Sequence, residues 1–506
     1  MVDPISQLLV EAITHSESNP EKQRQMHKRD EGARWFNMRR DHTIGRPELY
    51  VYDRFIQLCD PLRSGNRATK RHYPSFVSFV GDTSVGKSTL VRAMLLMGIA
   101  NSSKFHPSEN GSTNPRNDDI LVDLVNRMSE KGKDGPVTRS ENINHLTDPT
   151  TLGVHLYLDQ GTTGPGELGD QSPPIPGAQY PILFSDCEGF GAGDAMTNAE
   201  RMESNSSDTR GRDFGATRYR SPSRMEDLAL QLQVKPHCYS RGKEGVDLFY
   251  ARFLYAISDV VVFITKEDQR IQKELVRVLE WASRAVHKSV NHPSRKTLII
   301  VRHMASIHKP VLYDAERLKT LYLYSEPDKF LWEDSPILKE FVEDYNKKPE
   351  TIARYDLRIN TNDQLYNALF NKITCCYIPN KVNVKGRPQE LYIQYRALRS
   401  LIESSVRDGL SLRADSVMQY NVPALSHILT RAFEHFAASE KPFDFYLAAR
   451  RDNPNPQSPQ DHIANFLRHA FESGEDIEKI NEMVTQVTSI ALLIYTYHHF
   501  GEGVGL

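Results

Sequence analysis

The sequence predicts an α/β protein in which a doubly wound, mostly parallel sheet is followed by a C-terminal all-helical lobe. Three observations carry this expectation. Between residues 75 and 384, short unbroken apolar runs of the kind that fill strands covered on both faces alternate with segments of helical periodicity. A glycine-rich turn joins the first of those runs to a helix. Beyond about Lys385 the strand signals stop and helical stripes remain.

Taken in order, residues 1–74 read as a helical and irregular lead-in whose aromatic cluster, Tyr50, Tyr52 and Phe55, docks on the α/β domain. Residues 75–80 read as a buried strand and 89–96 as a helix. A polar insert at 101–149, rich in Asn, Ser, Asp and Gly, stands where a ligand-sensing loop lies between a first helix and a second strand. Strands at 154–158 and 180–185 flank a Gly/Pro-rich insert at 159–179. A third insert spans 201–245, and its Ser- and Arg-dense part almost lacks large aliphatic residues, the composition of a solvated loop. Helix 248–257, the β-branched run 259–265, helix 275–290 and strand 297–301 then repeat the alternation; helices near Glu316 and Leu365 precede a last strand at 375–379.

In the lobe at 385–506, Leu391, Tyr395, Leu398 and Ile402 form one stripe, and Leu425, Ile428, Leu429, Ala432, Phe433 and Phe436 a second. A Pro-rich break at 453–459 precedes a last helix marked by Ile480, Met483, Val484, Val487 and Ala491. The apolar stretch 487–497 falls short of the roughly 20 residues that span a bilayer. It reads as a buried helix, with a membrane-apposed or partner-binding segment as the alternative.

Composition narrows the classes. A net charge of −2 gives no global electrostatic case for nucleic acid or an anionic membrane. The five cysteines, Cys59, Cys187, Cys238, Cys375 and Cys376, form no CxxC pair and no zinc spacing, which predicts reduced thiols in a cytoplasmic protein. The first forty residues hold no apolar signal core.

The chemistry is concentrated in the turn. Gly81-Asp82-Thr83-Ser84-Val85-Gly86-Lys87-Ser88 is a complete GxxxxGK[ST] phosphate loop, preceded by a strand and followed by Thr89 and a helix, the order its mechanics require. Gly81 and Gly86 admit backbone conformations that aim successive amides inward at phosphate oxygens beside a positive helix terminus. Lys87 is expected to neutralise the outer phosphates and Ser88 to join the shell of a Mg²⁺. This makes a nucleoside triphosphate the expected ligand.

Asp186-Cys187-Glu188-Gly189 directly ends a buried strand, the place of a DxxG switch in which Asp186 holds the cation through water and the Gly189 amide senses the terminal phosphate. Here the sequence resembles the guanylate-binding and dynamin-like large GTPases. The segment 186–191 is similar to their D-T-E-G-L-G switch, and the separation of about a hundred residues from Lys87 suits large rather than Ras-sized GTPases. The resemblance implies a P-loop NTPase fold, hydrolysis of GTP with Mg²⁺, and dimerisation across the nucleotide face. It also implies a cation-closing threonine at Thr150 or Thr151, with Thr138 as second choice, and a base-reading pair at Arg302 and His303. Glu188 either positions water or fixes the switch. Departures are plain: Phe190 stands where Ras-like enzymes carry a glutamine, Ser84 where guanylate-binding proteins carry an arginine, and His303 where an aspartate reads guanine. ATP remains the alternative substrate, and a nucleotide-regulated scaffold with little turnover the alternative function.

Overall fold

The computed structural model describes residues 4–14, 19–40, 47–63, 72–103, 135–137, 153–162, 179–189, 228–235, 243–266, 271–285, 295–305, 310–324, 330–347, 358–384, 387–415, 418–445, 448, 459–472 and 476–500. The chain divides into two compact units, Met1–Asp444 and Phe445–Leu506.

The first unit is built on nine strands: β1 Arg34–Arg40, β2 Pro47–Tyr52, β3 Ser75–Gly81, β4 Val154–Leu158, β5 Ile182–Cys187, β6 Leu228–Gln233, β7 Val260–Thr265, β8 Thr297–Ala305 and β9 Lys372–Pro379. They form one mixed sheet in the order β6-β2-β1-β4-β5-β3-β7-β8-β9. The run β5-β3-β7-β8-β9 is parallel, and β4, β1, β2 and β6 extend it as an antiparallel wing. The expected α/β class with a parallel centre is therefore present. Its helices are α1 Pro4–Thr14, α2 Pro20–Asp30, α3 Arg54–Arg63, α4 Lys87–Ser103, α5 Lys243–Ile257, α6 Ile271–Ala285, α7 Ala315–Leu323, α8 Pro336–Asn346, α9 Asn362–Leu369, α10 Pro388–Asp415 and α11 Val422–Ala438.

Every residue of β3, β5 and β7 is buried, as expected of predominantly apolar strands in a sheet covered on both faces. On one face Val77, Phe79, Phe184, Val262 and Ile264 pack in one core with Leu9 and Ile13 of α1, Leu90 and Met94 of α4, and the α10 stripe Leu391, Tyr395, Leu398, Ile402, Val406 and Leu410. Each fully buried side chain of this size contributes about 1.5–3 kcal/mol. The other face is aromatic. Trp35 of β1 stacks on Phe76 at 5.4 Å, and Phe253 of α5 stacks on Phe433 of α11 at 4.2 Å. The register of β1 against β4 slips between Arg34 and Phe36, a bulge that lets the consecutive residues Trp35 and Phe36 both meet the Phe253 ring.

Three expectations are corrected. Residues 1–74 are not simply a helical and irregular lead-in, because β1 and β2 are paired members of the sheet. The insert 201–245 contains β6, which closes the wing against β2. The segment 385–506 is not one helical domain: α10 and α11 belong to the first unit, and the division falls between Asp444 and Phe445. Most of 101–149, 163–178 and 201–227 lies outside the described residues.

The second unit carries α12 Pro459–Glu472 and α13 Ile477–Phe500. The reading of the 487–497 stretch as buried is also corrected, since Val487 and Leu492 are 41% and 50% exposed. No described helix is long and apolar enough to cross a membrane.

The strand order fixes where a ligand can approach. After β3 the chain runs through α4 to β4 and β5 on one side, then crosses by α5 to β7 on the other. The carboxyl end of β3 is thus the switch point of the parallel sheet, the position at which open α/β sheets generally bind ligands in a crevice.

Candidate functional site

The glycine loop occupies that position. Gly81, the last residue of β3, has φ +152°, Ser84 has φ +65° and Gly86 has φ +92°. A Cβ at Gly81 would lie 2.5 Å from the Ile264 carbonyl oxygen, and one at Gly86 2.3 Å from Nδ1 of His303. Both positions therefore exclude any side chain, on conformational and steric grounds together. Alternation of ordinary and left-handed backbone turns successive amides to one side, the geometry of an anion-holding nest. The amide of Leu90 donates back to the Gly86 carbonyl at 3.0 Å, and α4, a 17-residue helix, begins at Lys87, so its positive end lies at the loop.

Lys87 is buried, and its Nζ donates to the carbonyls of Gly81 at 3.1 Å and Asp82 at 2.8 Å. Burial lowers its pKa, opposed chiefly by the negative charge of Asp186. Ser88 Oγ donates to Asp186 Oδ2 at 2.6 Å. Asp186 is fully buried near the end of β5, its backbone in register with Phe79 of β3. Burial raises its pKa, against the Ser88 hydrogen bond and the charge of Lys87. Three residues on, a Cβ at Gly189 would fall 2.3 Å from Thr83 Oγ1 and 2.6 Å from the Thr83 nitrogen, so this backbone rests directly on the loop. Two motifs far apart in the chain meet at one point.

Glu188 is engaged elsewhere. Its amide donates to the Gly153 carbonyl at 2.7 Å, and its carboxylate accepts from the Gly153 amide at 2.8 Å. This reciprocal clasp ties the turn after β5 to the start of β4. Thr138, Thr150, Thr151 and Phe190 lie outside the described residues.

Arg302 and His303, the two residues expected to read the base, are neighbours on β8 and both are buried. Consecutive residues of a strand point to opposite faces. His303, 2% exposed, shares a 2.8 Å hydrogen bond between Nδ1 and the Val85 carbonyl, which makes Nδ1 the donor. Burial holds its pKa down at about 4. The Arg302 guanidinium, also buried, lies 5.9 Å from the centre of the Tyr377 ring on β9. His303 is a support beneath the loop.

Sequence reasoning missed Arg277 of α6, whose Nη1 meets Asp82 Oδ1 at 2.8 Å from 195 residues away. No motif contains it, and only its placement on a helix after β7 brings it here. Among the described residues no group of three or more His, Cys, Asp or Glu could hold a metal ion by itself. A cation here would draw on Ser88, Asp186 and the oxygens of its ligand. Cys59, Cys187, Cys375 and Cys376 are buried and unpaired by disulfides. No protein-family model matches the chain, and no curated protein matches it.

Proposed function

We propose that the chain binds a nucleoside triphosphate with Mg²⁺ on the 81–88 loop and hydrolyses it, with GTP the leading substrate, in the manner of the dynamin-like and guanylate-binding large GTPases it resembles. The observation that carries this reading is the Ser88–Asp186 contact of 2.6 Å, with the Gly189 backbone pressed on Thr83. In this reading the loop amides and Lys87 hold the phosphates. Ser88 and Asp186 hold the cation, with Thr151 or Thr150 closing over it. When bound, Mg²⁺ offsets charge on the β- and γ-phosphate oxygens. Water attack at the γ-phosphorus yields the diphosphate and phosphate, and the Gly189 amide registers the loss.

A second substrate is favoured by a specific observation. With His303 Nδ1 donating to the Val85 carbonyl, its ring does not supply the paired acceptors that an aspartate offers guanine, so ATP stands beside GTP. The nucleotide-dependent homodimer remains part of the proposal through the resemblance alone, and the cytoplasmic location through the cysteine pattern. Equilibrium binding of GTP and ATP with Mg²⁺, with Lys87→Ala as control, tests it. Tight GTP binding that ATP cannot displace, lost in the variant, supports a GTPase; no binding of either nucleotide ends the reading. Phosphate release at equal rates from wild type and variant leaves a binding scaffold.

A further inference from the structure

An acidic side chain at the mouth of an anion-binding loop is electrostatically costly, because it repels the ligand whose charge the amides are arranged to hold. Asp82 is such a residue, at the second position of the 81–88 loop. Two cations converge on it. Lys87 Nζ donates to its carbonyl at 2.8 Å, and Arg277 Nη1 to its carboxylate at 2.8 Å. The Asp82 and Arg277 side chains are 48% and 34% exposed, so a ligand on the loop can reach both. Arg277 also lies over the ring of Trp281, one helical turn along α6, with its guanidinium carbon 5.0 Å from the ring centre. Trp281 is buried against Phe263 of β7 and is fixed in the scaffold.

We propose that Arg277 is a phosphate-contacting arginine supplied from α6, which exchanges the Asp82 carboxylate for an outer phosphate oxygen of the bound triphosphate. The proposal rests on the triphosphate reading of the loop. A triphosphate carries more negative charge than one carboxylate and presents planar oxygen pairs that match a guanidinium fork, so the exchange favours the ligand. Asp82 then acts as a holding site that keeps the arginine at the loop and sets a threshold for its transfer. A diphosphate, lacking the outer group, competes less well with Asp82. Arg277 thus distinguishes triphosphate from diphosphate.

The test is a double-mutant cycle on the full chain, reading the affinity for a non-hydrolysable triphosphate and a diphosphate with Mg²⁺, together with turnover. Asp82→Asn should release Arg277 and tighten triphosphate binding several-fold. Arg277→Ala should weaken triphosphate more than diphosphate binding and lower kcat, and should remain damaging on the Asp82→Asn background. Arg277→Lys should restore only part of the effect, since an ammonium lacks the fork. Triphosphate addition should change Trp281 emission in the wild type but not in Arg277→Ala, with Trp281→Phe identifying the source. An Arg277→Ala defect abolished by Asp82→Asn would show that the arginine only masks the carboxylate and would overturn the proposal while leaving nucleotide binding intact. Equal losses for triphosphate and diphosphate overturn it as well. Absence of any nucleotide binding by the wild type removes the triphosphate reading and this inference with it.

Discussion

At the scale of single residues, the loop is held from below by a histidine and from within by a lysine, and the two make different predictions. His303 is neutral in the folded chain, with a pKa of about 4 against the ordinary 6.5, because burial and the nearby charge of Lys266 oppose protonation more than the Val85 carbonyl favours it. A lowered folded pKa gives a contribution to stability that is complete above pH 6.5 and is lost as the pH falls toward 4. The span corresponds to about 3 kcal/mol, so on acidification from pH 7 to 4.5 the urea midpoint of the wild type should fall further than that of His303→Gln, which carries no titrating group there. Parallel pH profiles would refute a buried neutral imidazole. Lys87→Met should leave the fold intact, since burial already disfavours the ammonium, yet weaken triphosphate affinity by about 100-fold or more (about 3 kcal/mol). Calorimetric titration of both proteins checks this. The residues from Gly81 to Ser88, with Asp186 and Gly189, are legible in the sequence because their chemistry is confined to short contiguous motifs. The clasp of Glu188 on Gly153, the turning of Arg302 away from His303 and the arrival of Arg277 are not, because each depends on strand facing or on contacts remote in sequence.

At the scale of elements, the helix that leaves the loop is pinned to the longest helix of the first unit. Arg399 of α10 donates to the Met94 carbonyl of α4 at 2.7 Å and pairs with Asp159, which is fully buried just after β4, and with Glu403 one turn along. Gly98 and Gly161 allow this close approach, a Cβ at Gly98 falling 2.2 Å from Asp159 Oδ1. Arg399→Ala would strand the Asp159 carboxylate without its cation, a loss of about 3–5 kcal/mol, whereas replacing both partners by apolar residues of similar size should cost far less. Denaturant midpoints of the single and double variants decide between a pair whose value lies in mutual compensation and one that stabilises outright. The same elements show how far sequence reaches. Strands β3, β5 and β7 are readable because each is a short, predominantly apolar segment buried along its whole length. β8 is recognisable only as far as Val301, since Arg302 and His303 look like the end of a strand until β9 pairs with them in register. β1 hides its alternation behind a bulge, and β6 offers only three leucines, each partly exposed.

At the scale of the whole molecule, the loop, its supports and its restraints all fall within one compact unit. Asp186 and Gly189 reach it through β5, His303 through β8, Arg277 through α6, and α10 locks α4 from the side. That α10 and α11 cover opposite faces of the sheet, one through the Leu391 to Leu410 stripe and the other through Phe433, means that a chain cut near 384 would lose cover from both faces. A fragment ending at Asp444 keeps both. It should unfold cooperatively and bind the triphosphate with an affinity within about twofold of the full chain, as expected of a fragment that retains the whole of the compact unit carrying the loop. A fragment ending at residue 384 should expose the core residues Val77, Phe79 and Val262 and aggregate or remain expanded. Circular dichroism melts and nucleotide titrations of the two fragments provide the comparison. Loss of cooperative folding in the longer one would place α12 and α13 among the elements that hold the sheet together, and would move the folding boundary past Asp444.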